Sequence, residues 1–539
     1  MPSFQSRLSQ RFRVLGATIV TILLAGSVVA EPQERAFVAS AGQKEAPSLA
    51  LISPLDGLWD RLETVEPATD DLLVRLRYGF ELPAEDDNPR VRTERDWFVA
   101  HPDYLDRVFT RARLYLPYIT SQLEERGMPL ELALLPVVES AYDPFAYSHG
   151  RAAGLWQMIP GTGRRYGLKQ NWWYDGRRDV VDSTRAALDY FQHLYEFNEG
   201  DWLNAIASYN SGEGNVRRAV MRNRNAGKPD DFWHLHLSRE TTTYVPRLLA
   251  LADIVRDPER YGVTLPRIAD EEQFAVADVG SQIDLAVAAE LAGVDVDTIY
   301  TYNPGYNRWS TDPNGPYRLA LPVDAYDAFT EAIAEVPASE RVRWKRHKVG
   351  NGETISGIAL KYHTTVPEIR AANNLRGNTI RAGHYLMIPV ATRPLSAYVK
   401  SADARLTKTQ NTAHAANRVE HTVANGESFW TISQRYHVTT RQLAAWNGMA
   451  PGDTLPVGRT LVVWTNAAVT PRSSPTAALG NTTRKLHYTV RSGDSLYLIA
   501  NKFRVTISQI ARWNNIDTKK ILRPGQTLTM YVDVTRQSS

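Results

Sequence analysis

Glu139 closes the stretch PLELALLPVV at positions 129–138, which is apolar apart from Glu131. A carboxyl placed there is partly desolvated, so its ionised form is disfavoured and its pKa rises. An acid that still holds its proton near neutral pH is a general acid in waiting. On spacing alone a helix-end glutamate is more often a solvated terminus, and the surrounding pattern must decide. That pattern is ESAYDPFAYSHGRAAGLWQMIP from Glu139 to Pro160, then ASYN and SGEGNV around Tyr209 and Asn210, then ETTTYV with Tyr244. Tyr209 and Tyr244 lie on apolar helical faces, where core packing alone would account for them. Metal and cofactor chemistry find no support. The 12 His residues show no ligand spacing, the chain has no Cys, and neither GxxxxGK[ST] nor a strand-linked GxGxxG occurs. The expectation is no metal and no cofactor.

The residues that would position Glu139 read as helices. Leu105, Val108, Phe109, Ala112, Leu116, Ile119 and Leu123 repeat at threes and fours, predicting one helix from about 101 that Gly127 closes. A second is expected from Pro129 to Glu139. A third follows Asp182 as N-cap, with Ala187, Tyr190, Phe191 and Leu194 on one face. A fourth follows Asp201, and a fifth carries Tyr244, Leu248, Leu251 and Val255. Residues 96–262 thus form a mainly α domain, with 31–95 as a poorly specified lead-in. Asp143, Asp179 and Asp182 read as turn and cap residues, and Gly212 and Gly214 as a tight turn beside a solvated Glu213. Trp172 and Trp173 are either a sugar-stacking pair or a buried one.

At 539 residues the chain requires several domains. A net charge of +3 and the absence of a dense basic run argue against a nucleic-acid partner. The 25 Tyr and 13 Trp fit either cores or sugar-binding surfaces. Arg7, Arg11 and Arg13 precede the apolar stretch 14–30, and Val28 and Ala30 suit a cut before Glu31, so 1–30 reads as a secretory signal peptide. The expectation is an exported protein of the periplasm or cell envelope. With no cysteine to carry a lipid, membrane attachment is expected to be peripheral or absent; oligomeric state is not fixed by the sequence.

The C-terminal part repeats. HKVGNGETISGIALKYHTTVPEIRAANNL from His347, HTVANGESFWTISQRYHVTTRQLAAWNGM from His421 and YTVRSGDSLYLIANKFRVTISQIARWNNI from Tyr488 run in register, each closing on a second strand. These repeats resemble LysM modules, which are small βααβ domains that bind N-acetylglucosamine-containing glycans. The resemblance places them at 345–390, 419–465 and 486–533. Their glycan-binding segments are expected around Gly352 and Thr354, Gly426 and Ser428, and Gly493 and Ser495; the competing reading makes these residues turn-builders and helix caps. Tethered modules would bind with avidity. Residues 391–418 and 466–485 read as linkers with too few large apolar residues to fold. Residues 270–335 echo the same rhythm as a degenerate copy, lacking the acidic residue after Gly280.

With these repeats behind it, the 139–160 motif, SYN and TTTY together resemble the lysozyme-like domain of family 1 lytic transglycosylases. The fold class implied is multidomain: a mainly α lysozyme-like catalytic domain followed by small α+β LysM repeats. The resemblance implies Glu139 as the catalytic acid, Ser148, Gln157, Tyr209, Asn210 and Tyr244 as substrate-binding residues, and peptidoglycan glycan strands as partner. Trp156 stands where the family usually has Met, and is expected to reshape a subsite. The implied reaction breaks the β-1,4 bond from N-acetylmuramic acid to N-acetylglucosamine without water and leaves a 1,6-anhydro ring. The alternatives are a muramidase resembling goose-type lysozyme, in which water attacks, and a non-catalytic wall-binding scaffold.

Overall fold

Hydrophobic periodicity and proline compete at the start of the helical domain, and proline prevails. Where the repeat from 105 to 123 predicts one helix, the computed structural model has two, breaking between Ala112 and Leu116. Pro117 lacks the N–H that a continuous helix would need and sits instead in a first turn, where that N–H is unpaired anyway. The structure describes residues 70–466 and, beyond them, 483–490, 494–503, 505, 507–517, 522 and 525–533. The signal peptide read at 1–30, the lead-in up to 69, most of the second linker and Gly493 lie outside the described residues.

In chain order the helical domain comprises α1 (Leu72–Tyr78), α2 (Pro89–Val99), α3 (Pro102–Ala112), α4 (Leu116–Glu124), a 3-10 turn (Leu130–Leu134), α5 (Leu135–Ser140), α6 (Pro160–Arg165), α7 (Val180–Phe197), α8 (Trp202–Ser211), α9 (Glu213–Asn225) and α10 (Arg239–Arg256). Of these, α1 and most of α2 fall in the 31–95 stretch read as lead-in. Leu72, Leu76, Val91 and Phe98 join the same core as α4 and α10, and the buried Arg95–Asp253 pair at 3.0 Å ties α2 to α10. The third expected helix starts earlier than read. Asp179, not Asp182, is the N-cap of α7, its carboxylate accepting the Asp182 N–H. Asp182 is turned outward to accept the Tyr174 hydroxyl and to pair with Arg318, 2.8 Å away.

The degenerate repeat has β1 (Phe274–Asp278) antiparallel to β2 (Arg318–Pro322), with α11 (Leu285–Leu291) and α12 (Val296–Tyr302) between them and α13 (Val323–Glu335) after. Its core takes in Trp173 and Tyr174 from the helical domain, and Trp173 meets Trp309 edge to face. The Trp172–Trp173 pair therefore serves an internal seam, with Trp172 stacked under Arg308 at 4.1 Å. Phe274 and Ala320 belong to the helical core instead, so part of the sheet's second face is covered too.

Each later repeat is β-α-α-β with its two strands antiparallel: β3 (Arg343–Lys348), α14 (Ile355–Lys361), α15 (Val366–Ala372) and β4 (Tyr385–Val390) in the first. After it the chain was expected to be an unfolded linker at 391–418. It instead forms α16 (Ala402–Asn411), capped by Ser401, and buries Tyr398. The Tyr398 hydroxyl donates to Asp284 at 2.8 Å, and the Thr392 N–H reaches the same carboxylate at 2.7 Å. The second repeat has β5 (Asn417–Thr422), α17 (Phe429–Tyr436), α18 (Thr440–Trp446) and β6 (Thr460–Thr465); the third has β7 (Thr483–Thr489), α19 (Leu496–Phe503), α20 (Ile507–Asn514) and β8 (Thr527–Asp533).

One asparagine organises every copy. The amide of Asn373 donates to Ile369 and Met387 carbonyls while its oxygen accepts the Met387 N–H. Asn447, Asn514 and, in the degenerate copy, Asn303 make the same three bonds. Because Tyr398 anchors the connecting segment, Tyr398→Ala should cost about 3 kcal/mol locally. Hydrogen exchange read by mass spectrometry should then show α16 amides deprotected, and unchanged exchange there would contradict the anchoring role.

Candidate active site

The exit from α5 sets the direction of Glu139. The helix stops because Ala141 and Tyr142 adopt left-handed backbone, φ 51° and 55°, a conformation that non-glycine residues rarely occupy. Such strain persists only where packing over-determines it. Here the Tyr142 ring is fully buried and its hydroxyl donates to the Ala133 carbonyl at 2.6 Å. Ser140 secures the same corner, its hydroxyl lying 2.9 Å from the Leu155 carbonyl and 3.1 Å from that of Pro136. The other acid of the apolar run, Glu131, faces away from this corner and accepts the Glu81 and Leu82 N–H groups.

Glu139 is thereby left at the wall of a cleft of about 570 Å³. Tyr244 on α10 donates its hydroxyl to Glu139 Oε1 at 2.5 Å. Burial pushes the carboxyl up to about 7; the Tyr244 bond pulls the other way, and the Glu240 charge adds to the rise. Burial and the neighbouring Glu139 also hold the Tyr244 hydroxyl well above its usual range, so it stays a donor.

Gly154 sits in the loop that leads to the cleft-lining Gln157. Its φ is +83°, and a Cβ there would come within 1.9 Å of the Arg177 carbonyl, so only glycine fits. Trp156 is wholly buried, with Nε1 donating to Thr184 Oγ1 at 3.1 Å. It is a core anchor, and the expectation that it reshapes a subsite is not met by its position. Gln157, again left-handed at φ 45°, donates from its amide to the Gly154 carbonyl at 2.8 Å. Tyr209 packs flat on Phe191 at 4.4 Å and donates to the Trp156 carbonyl at 2.7 Å. Asn210 Oδ1 accepts from Thr241 Oγ1 at 2.8 Å, and Ser148 Oγ accepts the Gly150 and Ala152 N–H groups.

All six residues expected at the site, Glu139, Ser148, Gln157, Tyr209, Asn210 and Tyr244, line this one cleft. Asp143, Asp179 and Asp182 do not. Asp143 caps a turn at the Phe145 N–H, and Glu213 lies beside His193 and Arg165. Gly212 alone makes the turn after α8, since Gly214 already belongs to α9. Glu240, Thr243 and Arg247 line the cleft without having been singled out. They recur with Tyr244 at helical spacing along α10, and that periodicity was the available signal.

The repeat segments are built differently from the cleft. Thr354, Ser428 and Ser495 each accept a helix N–H as caps, and Gly352 and Gly426 take φ 78° and 84° in the preceding turn. Glu353 and Glu427 bind back to His347 and His421 at 2.8 and 2.7 Å, and in the third repeat Tyr488 donates to Asp494 at 2.8 Å. Beside Ser428 the Trp430 ring stands 60% exposed. Among the described residues there is no group of three His, Cys, Asp or Glu able to hold a metal ion, and no helix long and apolar enough to cross a membrane.

Comparison with known families matches the Transglycosylase SLT domain at residues 118–232, the LysM domain at 347–389, 421–464 and 488–530, and the Lytic transglycosylase MltD, LysM-like domain at 273–338. The degenerate repeat is thus similar to a domain type of its own. The membrane-bound lytic murein transglycosylase D of Escherichia coli strain K12 is 36% identical over 387 residues, covering 68% of this chain and 81% of that protein. The N-acetylmuramoyl-L-alanine amidase sle1 of Staphylococcus aureus strain MRSA252 is 28% identical over 204 residues, 37% of this chain and 56% of the relative. The autolysin of Enterococcus faecalis is 27% identical over 182 residues, 34% and 23%. With the helical domain, the LysM-like domain and the repeats matched in the same order as the fold presents them, the chain belongs to the membrane-bound lytic murein transglycosylase D family.

Proposed function

We propose that this chain cleaves peptidoglycan glycan strands non-hydrolytically at the bond from N-acetylmuramic acid to N-acetylglucosamine, with Glu139 as the single acid and base. Family membership makes it a lytic murein transglycosylase of the cell envelope whose LysM repeats bind glycan. Export to the periplasm, with wall attachment through the repeats, is the matching reading of residues 1–30. The observation that carries the residue assignment is the 2.5 Å Tyr244–Glu139 bond inside a cleft that holds the carboxyl near pKa 7.

The bond also orders the steps. Because Tyr244 donates to Oε1, the acidic proton belongs on Oε2. That proton passes to the glycosidic oxygen as the C1–O bond breaks, leaving an oxocarbenium-like muramyl ring. Glu139 is then a carboxylate, and the Tyr244 hydroxyl stabilises it more strongly than it did the acid. The carboxylate takes the proton of the muramyl 6-hydroxyl, whose oxygen closes on C1 as the 1,6-anhydro ring. One carboxyl completes the cycle, in contrast to the paired acids of most glycosidases. Ser148, Gln157, Tyr209 and Asn210 are placed to bind the sugars, and backbone hydrogen bonds hold the first three in position.

Glu139→Gln should lower turnover roughly 10²–10⁴-fold or more. The digest of wild-type enzyme, analysed by mass spectrometry, should carry anhydro ends; reducing ends throughout would establish a muramidase instead. The same substitution should stabilise the fold. A carboxyl with folded pKa near 7 favours folding fully below its unfolded value of 4.5, and that advantage disappears as pH rises through 7. At pH 8 the Gln variant should therefore be about 3 kcal/mol more stable, measurable as a higher Tm.

Tyr244→Phe removes the interaction that holds the Glu139 pKa down, leaving burial unopposed. The alkaline limb of kcat/KM, near pH 7 in the wild type, should move to higher pH while the maximum falls roughly 10–100-fold. An unmoved limb would remove Tyr244 from the acid's control.

A further inference from the structure

Arg247 lines the cleft three residues beyond Tyr244 on α10. Its Nε donates to Glu94 Oε2 at 2.7 Å, and its guanidinium carbon lies 5.7 Å from the Trp97 ring centre. Glu94 is buried, whereas the Arg247 side chain is 41% exposed. Among the described residues neither terminal amino group of Arg247 has a hydrogen-bond acceptor. The guanidinium is thus fixed from behind and open in front, with a donor pair suited to a planar anion.

The same helix face is polarised. Glu240 lines the cleft one turn before Tyr244, and Arg247 one turn after it, with Glu139 opposite the middle. A neutral sugar chain offers nothing for such a gradient to read. Peptidoglycan does: every muramyl sugar carries a 3-lactyl group whose carboxyl is either free or extended by a peptide bearing carboxylates of its own. Three residues of helix advance about 4.5 Å, so Arg247 lies close to whichever sugar is being cleaved.

We propose that Arg247 is a specificity residue that binds the carboxylate on the 3-substituent of the reacting muramyl unit and so sets the direction of the strand across Glu139. Glu240 repels the same group at the opposite end, and this discriminates against the reversed strand. The inference rests on the transglycosylase reading above and adds to it the charged group of the substrate that is recognised.

The test compares three substrates: peptide-free glycan strands with free lactyl carboxyls, the same strands converted to lactyl methylamides, and peptide-bearing strands. Wild-type kcat/KM should favour a carboxylate-bearing strand over the methylamide by about tenfold, the scale of one charged hydrogen bond. Arg247→Gln should bring that ratio close to one, and Arg247→Lys should retain part of it. The double variant Glu94→Gln/Arg247→Gln leaves no buried carboxylate stranded and should lose the preference likewise. A preference confined to free lactyl strands identifies the lactyl carboxylate, and one confined to peptide-bearing strands identifies the stem peptide. Equal rates on all three substrates, or a full preference surviving in both Gln variants, overturn the proposal. Failure of the underlying reading would show separately, as reducing ends in the wild-type digests or turnover retained by Glu139→Gln.

Discussion

In the proposed mechanism Glu139 gives up a proton and then takes one back, which needs an environment in which neither form is strongly preferred. Water would make Glu139 a permanent anion, and an apolar pocket without a donor would make it a permanent acid. Burial supplies the upward push and the Tyr244 hydroxyl the opposing pull, leaving the group near 7. Much of the helical domain serves that balance. The left-handed exit at Ala141 and Tyr142 delivers the carboxyl from the helix end, Ser140 ties the corner to the Leu155 loop, and α10 brings the phenol across.

Strain is concentrated where this balance is set. Ala141, Tyr142, Arg151 and Gln157 all have positive φ without being glycine, and all lie within the twenty-two-residue motif or at its corner. Left-handed backbone at such residues costs of order 1–3 kcal/mol each, and the surrounding contacts must offset it. Trp156 supplies one of those contacts. Its buried indole, bonded to Thr184, keeps the loop fixed while its carbonyl receives the Tyr209 hydroxyl.

The site was more legible than its supports. An apolar run ending in a carboxylate marks Glu139 as a candidate acid, but a solvated helix end fits the same spacing, and the motif around it decides. Ser148, Gln157 and Asn210 came from motif resemblance, since nothing in their spacing marks them. Helix edges were misread where two local signals competed: Pro117 against a hydrophobic repeat, Asp179 against Asp182. The 391–418 stretch reads as unfolded because its apolar content is low, but Tyr398 meets its partner Asp284 from 114 positions earlier. No local pattern contains such a pairing. Asn303 was visible in the degenerate repeat from the start, but its meaning depends on seeing Asn373, Asn447 and Asn514 make the same bonds.

The parts that bind and the part that cuts meet at the loop that carries Ser148 as well as at the Trp172–Trp173 seam. Arg405 of α16 lies 4.7 Å from the Phe145 ring centre, Arg178 beneath the loop reaches Asn307 of the LysM-like domain, and Arg151 pairs with Asp453 of the second repeat at 2.5 Å. Arg151 also donates to the Gly452 carbonyl, while its own carbonyl accepts from Arg177 at 2.6 Å. That loop carries the left-handed Arg151 and Gln157 together with the cleft-lining Ser148. Contacts from two later segments, α16 at Phe145 and the second repeat at Arg151, meet it from the outside. The second repeat therefore braces the loop behind the cleft as well as supplying a glycan-binding module.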